Sequence, residues 1–479
     1  MLDDTGPTSP NSDHTHEDNA DVIFNPLTFR SGLGELKNRI IRSNISGMFD
    51  DYNGHGGNAR VNWETKFAKG GCGAIISSYT PVTVKGRILT RYAMIDDDDK
   101  IPFWEMVGKS VHHHGSKFIM QLSHSGRQQD LSGFENIHHK VLSSTNHKDY
   151  FHGILCKAAT QDEIKDLVQL FANGARRAQQ AGLDGVELHG ANGYLITQFL
   201  SSGINDRTDR YGGDWEARAQ FVLEIIRAIR EKCGQEFHVQ MKINAVDFNS
   251  WLYPWQKPGN TLDETVNICK LLMDGGKGFD AFHVSMGSTF PHPTNPPGDL
   301  PMQDVVRWYD VMLNQGVRAK MNYRIFSNWF GRWFFHRYWL WRRGPKVEGI
   351  GEDYSAVIKK AVQEVDKDIP VMVTGGWQHA HRIADAIRSG RCDAVTIARA
   401  LIANNDLPQI LQRQNAPDKG KECTHCNKCL LNDLENPLGC YEMSRYDGTT
   451  FEQKYEAMIK EVNSVYYPPT YPYHDVSEV

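Results

Sequence analysis

The sequence has no apolar run near the roughly 18 residues that a transmembrane helix requires, so no membrane-spanning helix is expected. The first twenty residues also lack the apolar core of a secretory leader. They are polar, acidic and rich in Ser, Asn and His, and residues 1–20 are expected to form a disordered tail. Basic residues are not in excess. The 53 Lys and Arg stand against 58 Asp and Glu, and a formal charge of −5 argues against general affinity for nucleic acid. Cysteines are few and odd in number, nine in 479 residues, which argues against a disulfide framework and for a reducing, cytoplasmic setting.

What is present is an alternation of short β-branched runs with longer amphipathic ones, and eight such pairs favour a closed α/β barrel, a (β/α)8 TIM barrel. The expected strands are Arg39–Arg42, Ala74–Ser77, Lys117–Gln121, Val186–His189, Val239–Ile243, Ala281–Val284, Val371–Thr374 and Ala394–Ile397. The clearest helices are Gln161–Ala181, Glu216–Lys232, Thr261–Asp274, Tyr354–Val365 and His379–Ser389, with Thr160 and Glu163 forming a capping box. One elaborated barrel over 21–420, followed by a cysteine-rich extension over 421–479, accounts for the length.

The densest chemistry lies in His189-Gly-Ala-Asn192-Gly-Tyr194, just past the fourth strand, which in such a barrel is the catalytic face. His and Asn can donate hydrogen bonds to one substrate oxygen, and a nearby phenol can protonate a carbon that becomes negative. Asn205, Arg207, Asp209 and the Gly212-Gly213 pair that follow read as a self-bonded turn leading into the next helix.

The whole run resembles the signature segment of the old yellow enzymes, the flavin-dependent ene reductases. The resemblance implies an NAD(P)H:flavin oxidoreductase that reduces an activated C=C bond of an apolar α,β-unsaturated substrate. His189 and Asn192 would bind its activating oxygen and Tyr194 would supply the proton. It also implies bound FMN. The phosphate site would be Gly375, Gly376, Ala398 and Arg399, after the last two strands. Gln121 matches the family glutamine at the pyrimidine edge, and Lys242 falls where many relatives carry arginine, keeping the charge while losing the planar fork. Ser43, Asn44, Ile45 and Ser46 would back the flavin, with Ser46 at the tuning position and Tyr79 beside them. His124 and Arg127 read as structural or phosphate-side residues.

Near the C-terminus, Cys423, Cys426 and Cys429, with Cys440 later, have a spacing suited to four thiolates on a [4Fe-4S] cluster, with zinc and unligated thiols as alternatives. The pattern resembles the cluster segment of trimethylamine dehydrogenase and 2,4-dienoyl-CoA reductase. No Gly-x-Gly-x-x-Gly fingerprint follows it, so a cluster would exchange electrons with an external carrier or be structural. That leaves two rival functions: a flavin dehydrogenase or demethylase passing electrons through the cluster, and a non-catalytic flavin or cluster sensor at a membrane surface.

Between the sixth and seventh strands lies a long insertion, 291–351. Its segment Tyr323–Arg343 holds ten aromatics and five arginines and no acid. Read as one helix, Arg324, Asn328, Arg332 and His336 form a stripe apart from the aromatics. That pattern suits a lid, a homodimer face or a peripheral membrane contact.

Overall fold

The computed structural model describes residues 15–128, 141–149, 154–252, 254–289, 291–313, 317–433 and 436–467. Eight parallel strands close into a barrel in chain order. They are β1 (Ile40–Arg42), β2 (Ala74–Pro81), β3 (Lys117–Ser123), β4 (Gly185–Gly190), β5 (His238–Asn244), β6 (Ala281–Ser285), β7 (Val371–Thr374) and β8 (Ala394–Ile397), with β8 pairing back onto β1. All eight expected strands are present, and β2 runs past Ser77 to Pro81 through a register shift between Ile76 and Tyr79.

The two-residue period of a strand sorts the side chains. Val186 and Leu188 of β4, Val239, Met241 and Ile243 of β5, and Phe282 and Val284 of β6 belong to the outer core under the helices. Their neighbours Glu187, His189, Gln240, Lys242 and His283 therefore point into the lumen, and all are buried. An antiparallel pair, Leu27–Thr28 with Glu35–Leu36, closes the N-terminal end of the barrel. Leu27, Phe29, Leu33 and Leu36 pack there on Ile41, Ile76, Ile119 and Met372.

Helices Gln161–Gln180, Trp215–Cys233, Leu262–Leu272, Glu352–Gln363 and Ala380–Arg388 follow the expected apolar periodicity, and the Thr160–Glu163 capping box forms. The Asn205–Gly213 segment is self-bonded: Arg207 pairs with Asp209, and Asn205 Nδ2 donates to the Phe199 and Tyr211 carbonyls, both at 2.7 Å. Among the described residues no helix is long and apolar enough to cross a membrane.

Two expectations differ from the structure. Residues 16–20, expected in a disordered tail, begin the helix His16–Phe24, which Thr15 caps. His16 Nε2 hydrogen-bonds the Leu411 carbonyl (3.2 Å) and Arg388 donates to Asn19 Oδ1 (2.9 Å), so partners far along the chain hold a polar helix that composition does not reveal. Residues 1–14 lie outside the described residues. The aromatic segment of the insertion is not one continuous helix. It forms Val317–Ser327 and Trp329–Arg343, after a first helix Met302–Val311, and the break comes where Asn328 accepts a hydrogen bond from Phe330 N–H (2.9 Å) as an N-cap.

A buried ion-pair network holds the segment after β1. Arg42 on β1 pairs with Glu64 of helix Asn58–Lys69, and Arg60 of the same helix pairs with Asp50 (2.6 Å) and reaches Glu64 (3.4 Å). Arg60 also donates to the Gly47 carbonyl (2.7 Å), while the Ser78 hydroxyl lies within hydrogen-bond reach of the Ile45 carbonyl (2.6 Å) and Glu64 (2.8 Å). Removing one partner of such a network leaves a charge buried and uncompensated. Glu64→Ala is therefore expected to lower the unfolding free energy by about 3–5 kcal/mol, as measured by urea denaturation; a loss below about 1 kcal/mol would place the network in contact with water.

Candidate functional site

At the C-terminal face the strand ends surround a cavity of about 200 Å3. Ser43, Asn44, Ile45 and Ser46 line it after β1, Tyr79 from β2 and Lys242 from β5. Gly375 and Gly376 line it after β7, and Ala398 and Arg399 after β8. Asn192 and Tyr194 join them, while Gln121 and His189 are fully buried in the strands outside that lining. His124 and Arg127 stand apart. His124 is buried beneath Gly86, and Arg127 donates to the His147 carbonyl (3.2 Å) beside a second cavity.

Beneath the cavity the lumen is organised around the Glu187 carboxylate. Gln121 Nε2 donates to Oε1 (2.7 Å), and Gln240 Nε2 (2.7 Å) and His283 Nδ1 (2.8 Å) donate to Oε2. Burial alone would raise the carboxyl pKa, but His283, Lys242 and the Gln121 hydrogen bond outweigh it and hold Glu187 below the ordinary range. An ionised carboxylate only accepts, so it fixes its neighbours. Gln240 turns its Oε1 to His238 Nε2 (2.9 Å), and His238 Nδ1 then faces the Ser31 hydroxyl (2.7 Å). Gln121, turned so that its amide nitrogen donates to Glu187, keeps a buried Oε1 with no protein partner.

His189 stands opposite Lys242 in the β4–β5 register. Its Nδ1 accepts from Ala191 N–H at 3.4 Å, and its buried Nε2 has no protein partner. Burial first, then the nearby Lys242 and His283 charges, drive its pKa well below the usual value. The ring is thus neutral, with Nε2 as the free donor. Asn192 adopts φ +61°, and its Oδ1 accepts from Asn295 Nδ2 (2.6 Å), which leaves its own Nδ2 hydrogens to offer. The next residue must be glycine, because a Cβ at Gly193 would stand 2.1 Å from the Ser288 carbonyl and φ is +79°.

Tyr194 packs edge-on against His189 (4.8 Å between centroids) and Tyr79 (5.2 Å). Burial raises its phenol pKa, and the Asp433 charge adds to the effect, so the proton is retained. Lys242 donates to Asn44 Oδ1 (2.5 Å), and burial, partly offset by Glu187, lowers its pKa to about 8. Tyr92 and Asp433, which sequence inspection did not single out, line the same cavity, and burial raises the Asp433 carboxyl to about 8. Asp433 lies four residues beyond Cys429, a position whose only sequence signal is its closeness to the cysteine motif.

Arg399 occupies a junction. It lines both this cavity and a smaller one walled by Cys423, Cys426, Cys429 and Cys440. Its guanidinium donates to Asn427 Oδ1 and the Pro297 carbonyl, both at 2.6 Å, so it ties the end of β8 to the cysteine loop. Among the described residues no three His, Cys, Asp or Glu side chains converge as ligands of a single metal ion. The four thiols nonetheless share one cavity, with Arg399 and Arg445 beside them. Thiolates on the corners of a cube bind different irons and need not converge on one point, so the shared cavity is the more pertinent observation.

A sequence profile of the NADH:flavin oxidoreductase / NADH oxidase family matches residues 22–267. The chain belongs to that family. It is 28% identical to the NADH oxidase of Thermoanaerobacter brockii over 434 residues, covering 87% of this chain and 57% of that protein. It is 32% identical to the NADPH dehydrogenase of Clostridium acetobutylicum over 301 residues, covering 63% of this chain and 81% of that one. The fold matches a complex of 2-naphthoyl-CoA reductase with 2-naphthoyl-CoA at a TM-score of 0.70 and 21% identity, covering 91% of this chain and 58% of that chain. The chain thus spans little more than half the length of the NADH oxidase. The resemblance to the old yellow enzymes is thereby placed on the family, and the eight-stranded barrel on the fold.

The lowered pKa of Lys242 has a measurable sign. The unfolded chain holds this proton up to the ordinary value of 10.5 while the folded chain releases it near 8, so between these values the unfolded state binds more protons and stability rises with pH. Lys242→Met is expected to remove that contribution. Urea unfolding of the ligand-free protein from pH 7 to 10.5 checks it, and identical pH slopes in the two proteins would show Lys242 to be solvated.

Proposed function

We propose that the chain is an FMN-dependent NAD(P)H oxidoreductase that reduces the activated C=C bond of an apolar α,β-unsaturated carbonyl compound. The observation that carries this is a neutral His189 whose buried Nε2 has no protein partner, packed 4.8 Å from the ring of Tyr194, with that protonated phenol and the Asn192 amide lining the cavity beside it. Bound FMN would supply hydride to the substrate, NAD(P)H restoring it. The residues present fit that group: the unpartnered Gln121 Oε1 suits a ring N–H donor, Lys242 suits an edge that gathers negative charge, and Gly375, Gly376 and Arg399 suit a phosphate.

His189 and Asn192 hold and polarise the carbonyl oxygen, and charge develops there as the β carbon accepts hydride. Tyr194 passes its phenolic proton to the α carbon and is reprotonated from solvent, so the substrate gains one hydride and one proton. Tyr79, Tyr92, Trp308 and Leu431 make the wall largely aromatic and apolar, which favours an apolar substrate.

A second reading is a flavin dehydrogenase or demethylase that delivers electrons through an iron-sulfur cluster to an external carrier. The position of Arg399 between the two cavities favours it. The four-thiol cavity with its two arginines fits an anionic [4Fe-4S] cluster held by Cys423, Cys426, Cys429 and Cys440.

Tyr194→Phe is expected to slow oxidation of the reduced enzyme by an enone by about 10²-fold or more while leaving reduction by NAD(P)H unchanged. Stopped-flow measurement of the two half-reactions separates them, and an unchanged enone step would mean that solvent supplies the proton. Anaerobically purified protein is expected to hold about four irons and four sulfides. Cys429→Ala should lose the broad iron-sulfur absorbance and retain FMN. Zinc, or no metal, would remove the second reading and leave the first intact.

A further inference from the structure

We propose that the outer face of the paired helices Val317–Ser327 and Trp329–Arg343 is a docking surface for an anionic lipid bilayer. The inner side of this pair is already satisfied: Phe326 and Trp339 are buried with Tyr309 in one hydrophobic cluster. The outer side is apolar too. Trp329, Phe330, Trp333, Phe334 and Trp341 are 57 to 71% exposed, and Ile325 of the preceding helix is 44% exposed. Trp329 and Trp333, like Phe330 and Phe334, are four residues apart and so share one face of the helix, and the Phe330 and Trp333 rings stack at 6.2 Å. Aromatic area of this density is not an ordinary solvated surface.

The charge decides what covers it. Residues 317–343 contain six arginines, one lysine and no acidic residue, and Arg324, Arg337 and Arg342 are exposed. A second copy docking through the same face about a two-fold axis would set these cations against one another. A bilayer with anionic headgroups answers both features: indole and phenyl rings settle at the headgroup boundary while arginines reach phosphates and carboxylates. At 15 residues the second helix is too short to span, so the contact is in-plane.

The same helix is fastened to the wall of the candidate site. Trp339 Nε1 donates to the Gly298 carbonyl (3.1 Å) and His336 pairs with Asp299 (2.6 Å), while the adjoining Asn295, Pro296 and Pro297 line the cavity. Seating this face on a membrane brings the site's wall beside the lipid, a route for an apolar substrate.

The test is co-sedimentation of the full chain with vesicles of phosphatidylcholine, with and without added phosphatidylserine, at low and high salt. Binding to the serine-containing vesicles is expected to be at least about tenfold stronger and to weaken with salt. The triple variant Arg324→Glu, Arg337→Glu, Arg342→Glu should lose about tenfold or more, and the double variant Trp329→Ser, Trp333→Ser should weaken binding at either salt. All five side chains face solvent, so both variants should keep the parent's thermal midpoint. Absence of sedimentation, equal binding to both vesicles, or an unaffected triple variant would overturn the proposal. A wild-type dimer that becomes monomeric in the tryptophan variant would do so as well, assigning the face to a second copy. The readout involves no turnover, so it stands or fails separately from the proposed activity.

Discussion

The buried carboxylate of Glu187 is the constraint on which the site's geometry depends. A single acceptor in the middle of the lumen fixes the amide of Gln121, the amide of Gln240 and the tautomer of His283, and through Gln240 it fixes His238 and Ser31 at the closed end. Upward, its charge partly sustains that of Lys242, while His189, two residues on along β4, receives no such support and stays neutral. One strand therefore carries an ionised acid at the floor and an uncharged ring above it within a span of three residues. Replacing this carboxylate would leave several polar groups buried without partners, a cost that apolar packing cannot offset.

A second centre of organisation is the loop Asn295–Asp299. Arg399 donates to the Pro297 carbonyl and Asn427 to the Asp299 carbonyl (2.7 Å), while Asp299 N–H donates to the His425 carbonyl (2.9 Å). On its other side the loop is held by Trp339 and His336. Cysteine loop, aromatic helices and site wall are thus connected through one short segment, and Asn295 extends the connection to Asn192. The insertion and the C-terminal extension, which look unrelated along the sequence, meet at the cavity on the barrel's C-terminal face.

The strands were legible because strands buried on both faces survive in sequence as short β-branched runs set between longer amphipathic helical stretches. The cluster His189, Asn192, Tyr194 was legible because its members lie within six residues. What stayed hidden depends on partners far apart in the chain. The helix His16–Phe24 is held by Leu411 and Arg388, and the engagement of Arg399 with Asn427 requires a loop whose Asn427 sits at φ +60°. Tyr92 and Asp433 reach the cavity from segments without a motif. The break at Asn328 was open to inspection, since Asn is a strong N-cap, but the surrounding aromatic periodicity favours one continuous helix.

The central claim is that the cavity holds a flavin which NAD(P)H reduces and an activated alkene reoxidises. Anaerobic titration of the purified protein with NADH or NADPH, followed by a simple cyclic enone, tests it most directly. The account predicts a yellow protein whose flavin absorbance is bleached by one equivalent of nicotinamide and restored by one equivalent of enone, with the saturated ketone formed in matching amount. A colourless protein that does not take up FMN, or a bound flavin that neither nicotinamide bleaches, would contradict it.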